Sequence, residues 1–233
     1  MRFDDVTLEH VEAEGARVLA TAAALSDRDL LAPSLCPGWS RGHVLSHLAR
    51  NADALARVYA VAVTGIPDTM YDSDDARDAD IEAGASHTSA EQVADLRESA
   101  ARFAALAGQF EPSQGSVRVE RTPGSRHIPA DKVLFMRLRE LIYHHVDLDA
   151  GYTFDQVSPD VLGMFLADMV KRLAGDAGAP GLSIHTSEGD EYTVGSGATE
   201  VTGTRAGVLL WLAREDGAGV RFDGPVPTLP FGG

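Results

Sequence analysis

Two pairs of side chains in this sequence have the types and spacing to share a metal ion. Glu140 and His144 lie four residues apart in MRLRELIYHHVDL, and His43 and His47 lie four apart in SRGHVLSHLAR. On helices each pair projects from one face. Imidazole nitrogens and carboxylate oxygens suit zinc, and three such ligands with one open position suit a catalytic site. At about 100° per residue, Val133, Met136, Glu140, His144 and Asp147 form one stripe, whereas His145 points about 100° away. The apolar stripe Val44, Leu48, Leu55 and Val58 puts His47 near the buried centre of its helix and His43 on the flank. On spacing alone, such pairs are more often surface partners than metal ligands.

Other chemistries find less support. Cys36 is the only cysteine, which excludes an internal disulfide framework and every cysteine-rich zinc or iron-sulfur site. Between Leu35 and Pro37 it reads as a packed loop residue rather than a nucleophile. No G-x-S-x-G elbow, G-x-G-x-x-G turn or Walker loop is present. His87, His127, His145 and His185 lack a matching partner pattern.

The elements that would carry these residues follow from periodicity and punctuation. Residues 6–25 have helical spacing, and 27–38 break it. Pro37 and Gly38 precede Ser40, a good N-cap, and the long apolar-periodic run after it carries both His43 and His47. Residues 66–86 are acidic and poor in large apolar side chains, and are expected to form a long loop. Thr88 and Glu91 have capping-box spacing before a third long helix that runs to about Phe110. SVRVERTPGSRHIP alternates around a Pro-Gly turn as a hairpin, and Pro129 sits near the start of the fourth helix, which ends near Gly151.

Four long helices predict a bundle over residues 1–152. The pattern then changes: a helix opened by Ser158-Pro159-Asp160, short strands LSIHT, EYTVG and TEVTG, an amphipathic helix AGVLLWLARE, and VRFDG. Residues 153–233 therefore read as a small α+β domain, and the whole chain as an α+β protein.

Composition narrows the partners. The chain has 233 residues, 44% of them hydrophobic, which is ample for a packed core. Acidic residues outnumber basic ones by 35 to 20, for a formal charge of -15, so a nucleic acid would be repelled. Lys132 and Lys171 are the only lysines; arginine carries the remaining positive charge and suits bidentate recognition of a small carboxylate. The N-terminus is charged throughout and no stretch approaches a membrane span, so a soluble cytoplasmic protein with no membrane partner is expected.

The segments PGWSRGHVLSHLARNADAL and MRLRELIYHHVDL resemble the two ligand-bearing helices of the mycothiol-dependent maleylpyruvate isomerase family, whose N-terminal domain is a DinB-like metal-binding four-helix bundle. MYDSDDARDADIEAG is similar to that isomerase's acidic loop, and TEVTGTRAGVLLWLAR to the family's small C-terminal domain.

This resemblance implies that His47, Glu140 and His144 bind Zn2+, with His43 a neighbour. It places the family's two substrate-side arginines on Arg77, within DDARDAD, and Arg214, within WLARED, where the family often has a glycine at the position of Ala213. The implied activity is isomerisation of maleylpyruvate to fumarylpyruvate in gentisate-type aromatic degradation. Mycothiol would be the thiol cofactor that this cysteine-poor chain lacks, and Asp147 would hydrogen-bond a ligand or an arginine, or serve as an ordinary helix C-terminal acid. A mycothiol S-transferase or detoxification enzyme of the same superfamily fits the same zinc site. A non-catalytic metal-binding module is the alternative from another class.

Overall fold

Serine and threonine side chains start the helices of the N-terminal half. Thr7, Ser26, Ser40, Ser73 and Thr88 each accept a hydrogen bond from the backbone N–H three residues on, satisfying a donor that a helix start leaves open. The helices they begin are α1 (Leu8–Ala24), α2 (Asp27–Leu30), α3 (Arg41–Thr64), α4 (Asp74–Ala85) and α5 (Ser89–Ala107). A short antiparallel hairpin follows, β1 (Arg118–Glu120) and β2 (His127–Pro129), and then α6 (Val133–Asp147). The computed structural model describes residues 1–230.

The chain divides into two units, residues 2–150 and residue 151 onward. In the first, α3 packs against α4, α5 and α6, and α1 against α5 and α6. The apolar stripes meet in a core that includes Val18, Val44, Leu48, Leu55, Leu96, Leu138 and Ile142. Tyr59 closes one end of it with Phe103 and Phe110, at ring-centroid distances of 5.7 and 4.8 Å.

The second unit places α7 (Pro159–Ala174) and α8 (Arg205–Arg214) with a four-stranded sheet of order β4-β3-β5-β6. Its strands are β3 (Leu182–Thr186), β4 (Glu191–Val194), β5 (Thr199–Gly203) and β6 (Val220–Phe222). β3 pairs antiparallel with β4 and parallel with β5. Both sheet neighbours of β3 are therefore joined by only residues 195–198, a sharp path on which Gly195 and Gly197 have φ of 52° and 67°. The architecture is α+β. No described helix is long and apolar enough to cross a membrane.

One expectation fails. Residues 74–85 of the acidic stretch are helical rather than a loop. Ser73 caps that helix, and Asp74 and Asp75 occupy its first turn, where the helix dipole favours negative charge. Only Ile81 and Gly84 are buried, so the segment carries almost no hydrophobic periodicity. Its docking uses small residues instead: a Cβ on Gly84 would fall 2.3 Å from Ser46 Oγ, and one on Gly42 would fall 2.9 Å from the carbonyl oxygen of Ala85. Gln92 of α5 then donates from Nε2 to the carbonyls of Gly84 and Ala85, at 3.1 and 3.4 Å, answering acceptors that the helix end leaves open.

Gly42→Ala and Gly15→Ala should therefore change stability in opposite directions. Helix propensity favours alanine by about 1 kcal/mol at either site, and nothing lies within 4 Å of a Cβ at Gly15. At Gly42 the contact is with backbone, which cannot rotate away, and overpacking costs about 1–3 kcal/mol. Urea midpoints measured at constant m-value should rise for Gly15→Ala and fall for Gly42→Ala.

Candidate metal centre

α3 and α6 meet where their polar positions face each other. His47 Nε2 lies 3.0 Å from Glu140 Oε2, and His144 Nε2 lies 3.4 Å from the same oxygen. The two imidazoles stand edge to face with centroids 4.6 Å apart. His47, Glu140 and His144 each offer a ligand atom within 4.8 Å of the other two. Bonds of about 2.05 Å in a tetrahedron put neighbouring ligand atoms about 3.3 Å apart, and the two separations at Glu140 straddle that value. Two nitrogens and one carboxylate oxygen form a donor set that fits zinc.

Burial and mutual contact set the charges of the trio. Burial pushes His47 down to about 4, and the adjacent His144 pushes the same way, so its ring is neutral, with one N–H and one nitrogen carrying a lone pair. Burial alone would raise Glu140, but hydrogen bonds from His144 and His47 hold it well below the usual carboxylate range. Burial opposes charge on His144 too, and there it is outweighed by Asp147, Cys36 and Glu140, which raise its pKa well above the ordinary value. The trio thus holds a proton between carboxylates at a place where a cation would replace it.

A second layer orients these side chains. Asp147, only 1% exposed, puts Oδ2 2.8 Å from His144 Nδ1, which leaves Nε2 facing Glu140. The Cys36 thiol donates to the same oxygen at 3.2 Å. Cys36 reaches this position because the loop before α3 is tied to the end of α6: Leu35 N–H donates to the Asp147 carbonyl at 2.9 Å, and Arg41 donates to the carbonyls of Leu148 and Asp149 at 2.6 and 2.5 Å. From the same loop, Trp39 covers the imidazoles of His47 and His144, with centroids 5.4 and 6.5 Å away. One turn before Glu140, the buried Arg137 donates from Nη1 to the Leu48 carbonyl and to Asn51 Oδ1, at 2.8 and 2.9 Å. Desolvation lowers its pKa to about 10, which leaves it cationic at neutral pH.

The remaining candidates divide clearly. Arg77, on α4, places Nη2 3.4 Å from His47 Nδ1 and also pairs with Asp78 at 2.6 Å. His43 lies outside the trio: it stacks on Trp39 and pairs through Nε2 with Glu82 at 3.0 Å. Arg214 ends α8, in the C-terminal unit, where Nη1 donates to the carbonyl of Ala213. Periodicity gave no access to Tyr71 and Arg121. Their backbones pair, Tyr71 N–H donating to the Arg121 carbonyl at 2.8 Å, and the guanidinium carbons of Arg121 and Arg77 lie 5.3 and 5.9 Å from the Tyr71 ring centroid. A pairing between residues so far apart in the chain leaves no local signal. Cys36 was likewise invisible as a neighbour of His144, because only the backbone ties at Leu35 and Arg41 bring it there.

Against known proteins, the family model described as mycothiol maleylpyruvate isomerase N-terminal domain matches residues 11–149. The chain is similar in structure to a crystal structure of the mycothiol-dependent maleylpyruvate isomerase, with a TM-score of 0.88, 28% identity and 99% of each chain covered. A histidine-to-alanine mutant of that enzyme matches with the same TM-score and coverage at 27% identity. No curated protein sequence matches the chain.

His145, beside the trio in sequence, faces the other way and has Nε2 2.7 Å from Thr21 Oγ1. Burial, with a smaller push from Arg17, lowers its pKa to about 4, against about 6.5 in an unfolded chain. The unfolded state therefore binds the extra proton first, and this contribution to stability is lost as pH falls from 6.5 toward 4. In the metal-free protein, His145→Gln should make the fall in unfolding free energy between pH 7 and pH 5 shallower than in the wild type. Parallel urea titrations at the two pH values measure the difference.

Proposed function

The chain belongs to the mycothiol maleylpyruvate isomerase family, and from that membership we propose that it converts maleylpyruvate to fumarylpyruvate with mycothiol as the thiol cofactor and zinc as the metal. The observation that carries this reading is the convergence of His47, Glu140 and His144 on one point beside Arg77. Turning a cis double bond to trans requires a temporary single bond, and reversible addition of the mycothiol thiolate to the conjugated system supplies one without net oxidation. His47, Glu140 and His144 would hold the zinc, which would lower the pKa of a bound thiol and so favour the thiolate at neutral pH.

The chain's own residues do the rest. His47 is neutral and Glu140 ionised, so neither has to gain or lose a charge to meet a cation. His144, whose pKa is raised, would give up its proton to the incoming ion, and the carboxylate would offset part of the ion's charge. Asp147 fixes the ring of His144 and directs Nε2 toward Glu140. Trp39 walls the imidazoles on one side and excludes water there. Arg77, 21% exposed along its side chain, can exchange its solvent-facing partner Asp78 for a substrate carboxylate. Arg214, assigned by family resemblance, is the second proposed substrate arginine.

Zinc-loaded protein mixed with maleylpyruvate and mycothiol should give the absorbance change of product formation, and leaving out mycothiol or replacing His47 with alanine should abolish it. Loaded wild-type protein that leaves maleylpyruvate unchanged would sink the reading. Arg77→Ala removes one charge-assisted contact, so kcat/KM for maleylpyruvate should drop about tenfold to a hundredfold, while conjugation of an uncharged electrophile stays near wild type. Asp147→Asn should weaken zinc binding by about 10- to 100-fold, measured by competition with a chromophoric chelator; unchanged affinity would remove the orienting role.

A further inference from the structure

We infer that Arg121 is a further carboxylate anchor of this site, held with Arg77 on the ring of Tyr71 and strengthening the preference for a doubly anionic substrate. The inference rests on the isomerase reading, whose substrate carries a carboxylate at each end. Within the bundle unit, Arg77 answers only one of them.

Arg121 is fixed from both sides of its backbone. Its N–H donates to the Arg126 carbonyl at 2.8 Å within the hairpin, and its own carbonyl accepts from Tyr71 at 2.8 Å. The guanidinium lies over the Tyr71 ring, as does that of Arg77. Tyr71 is 8% exposed, and Arg77, which shares its ring, also places Nη2 3.4 Å from His47 Nδ1, so the ring and Arg77 connect Arg121 to the histidine-glutamate trio.

Two like charges on one ring repel, and each is offset mainly by an aspartate at the surface. Arg77 pairs with Asp78 and Arg121 with Asp74; the aspartate side chains are 67% and 64% exposed, the arginines 21% and 23%. Exposed ion pairs are weak, whereas a guanidinium shielded by aromatic surface gains more from a carboxylate that docks in both N–H directions. In a chain of net charge -15, two partly shielded arginines on one tyrosine ring form a local binding place for an anion. The competing role for Arg121 is mechanical, tying the hairpin to α4 through Asp74, and removing Asp74 separates the two roles.

The test uses zinc-loaded enzyme with saturating mycothiol and compares wild type, Arg121→Ala, Arg121→Lys and Asp74→Asn, each checked for folding by its thermal transition. With maleylpyruvate, Arg121→Ala should raise KM about tenfold to a hundredfold with kcat changed less than about threefold. The lysine variant should recover part of the loss, and Asp74→Asn should keep KM at or below the wild-type value. A cis-enone monoacid lacking the distal carboxylate should barely distinguish the variants. An unchanged KM in Arg121→Ala, an equal loss on the monoacid, or an Asp74→Asn variant that copies Arg121→Ala would overturn the inference. Should wild type fail to turn over maleylpyruvate, the isomerase reading falls separately. Calorimetry with maleate in the absence of any thiol, so that the dianion binds without reacting, then decides for Arg121: weaker binding in Arg121→Ala supports the anchor, and equal binding removes it.

Discussion

A carboxylate held between two imidazoles, away from most of the solvent, fixes how α3 and α6 can meet. Glu140 must keep its contacts with His47 and His144, because a buried ionised group without partners costs several kcal/mol. Arg137 imposes the same demand one turn earlier, since its guanidinium is satisfied by the Leu48 carbonyl and Asn51 of α3. Apolar contacts are non-directional and can be remade by repacking in another register. These two polar contacts cannot, and so they set the register that the surrounding core then fills.

That register gives the site its electrostatic character. The chain is strongly acidic overall, yet Arg77, Arg121 and Arg137 all stand near Glu140 or near the tyrosine that feels its charge. Net charge reports the solvated surface, where each carboxylate is screened within about 10 Å. Around Glu140 and Tyr71 a few oriented, partly shielded groups dominate the local potential, and an anion arriving there meets them rather than the average.

Much of this was legible in the sequence, for reasons that explain what was not. The caps at Ser40 and Thr88 and the Pro-Gly hairpin are local patterns, and each appears where its residues predict. The helical face shared by Glu140 and His144, and the inward side of His47, also follow from spacing within single helices, and the structure brings those three together. The helix over 74–85 escaped because its packing is made by Gly42, Ser46, Gly84 and Ala85, whose contacts are close but carry no hydrophobic signal. Tyr71 and Arg121 escaped because a backbone pairing between distant segments puts them together, and no periodicity within either segment encodes it.

His144 lies in the last turn of α6, the part of a helix that ordinarily frays. Fraying is fast and frequent at unprotected ends, and a ligand carried there would sample many orientations for each one that points at its partners. Here the carbonyls of Asp147, Leu148 and Asp149, which the helix end leaves without intrahelical donors, are taken by Leu35 N–H and by the Arg41 guanidinium, and these ties pin the last turn. The entropy of ordering that turn is therefore lost during folding and not again when an ion arrives. Because the ties run to backbone oxygens, they persist through changes of side chain at residues 147 to 149, so drift at those positions can retune the site without loosening the helix end that holds it.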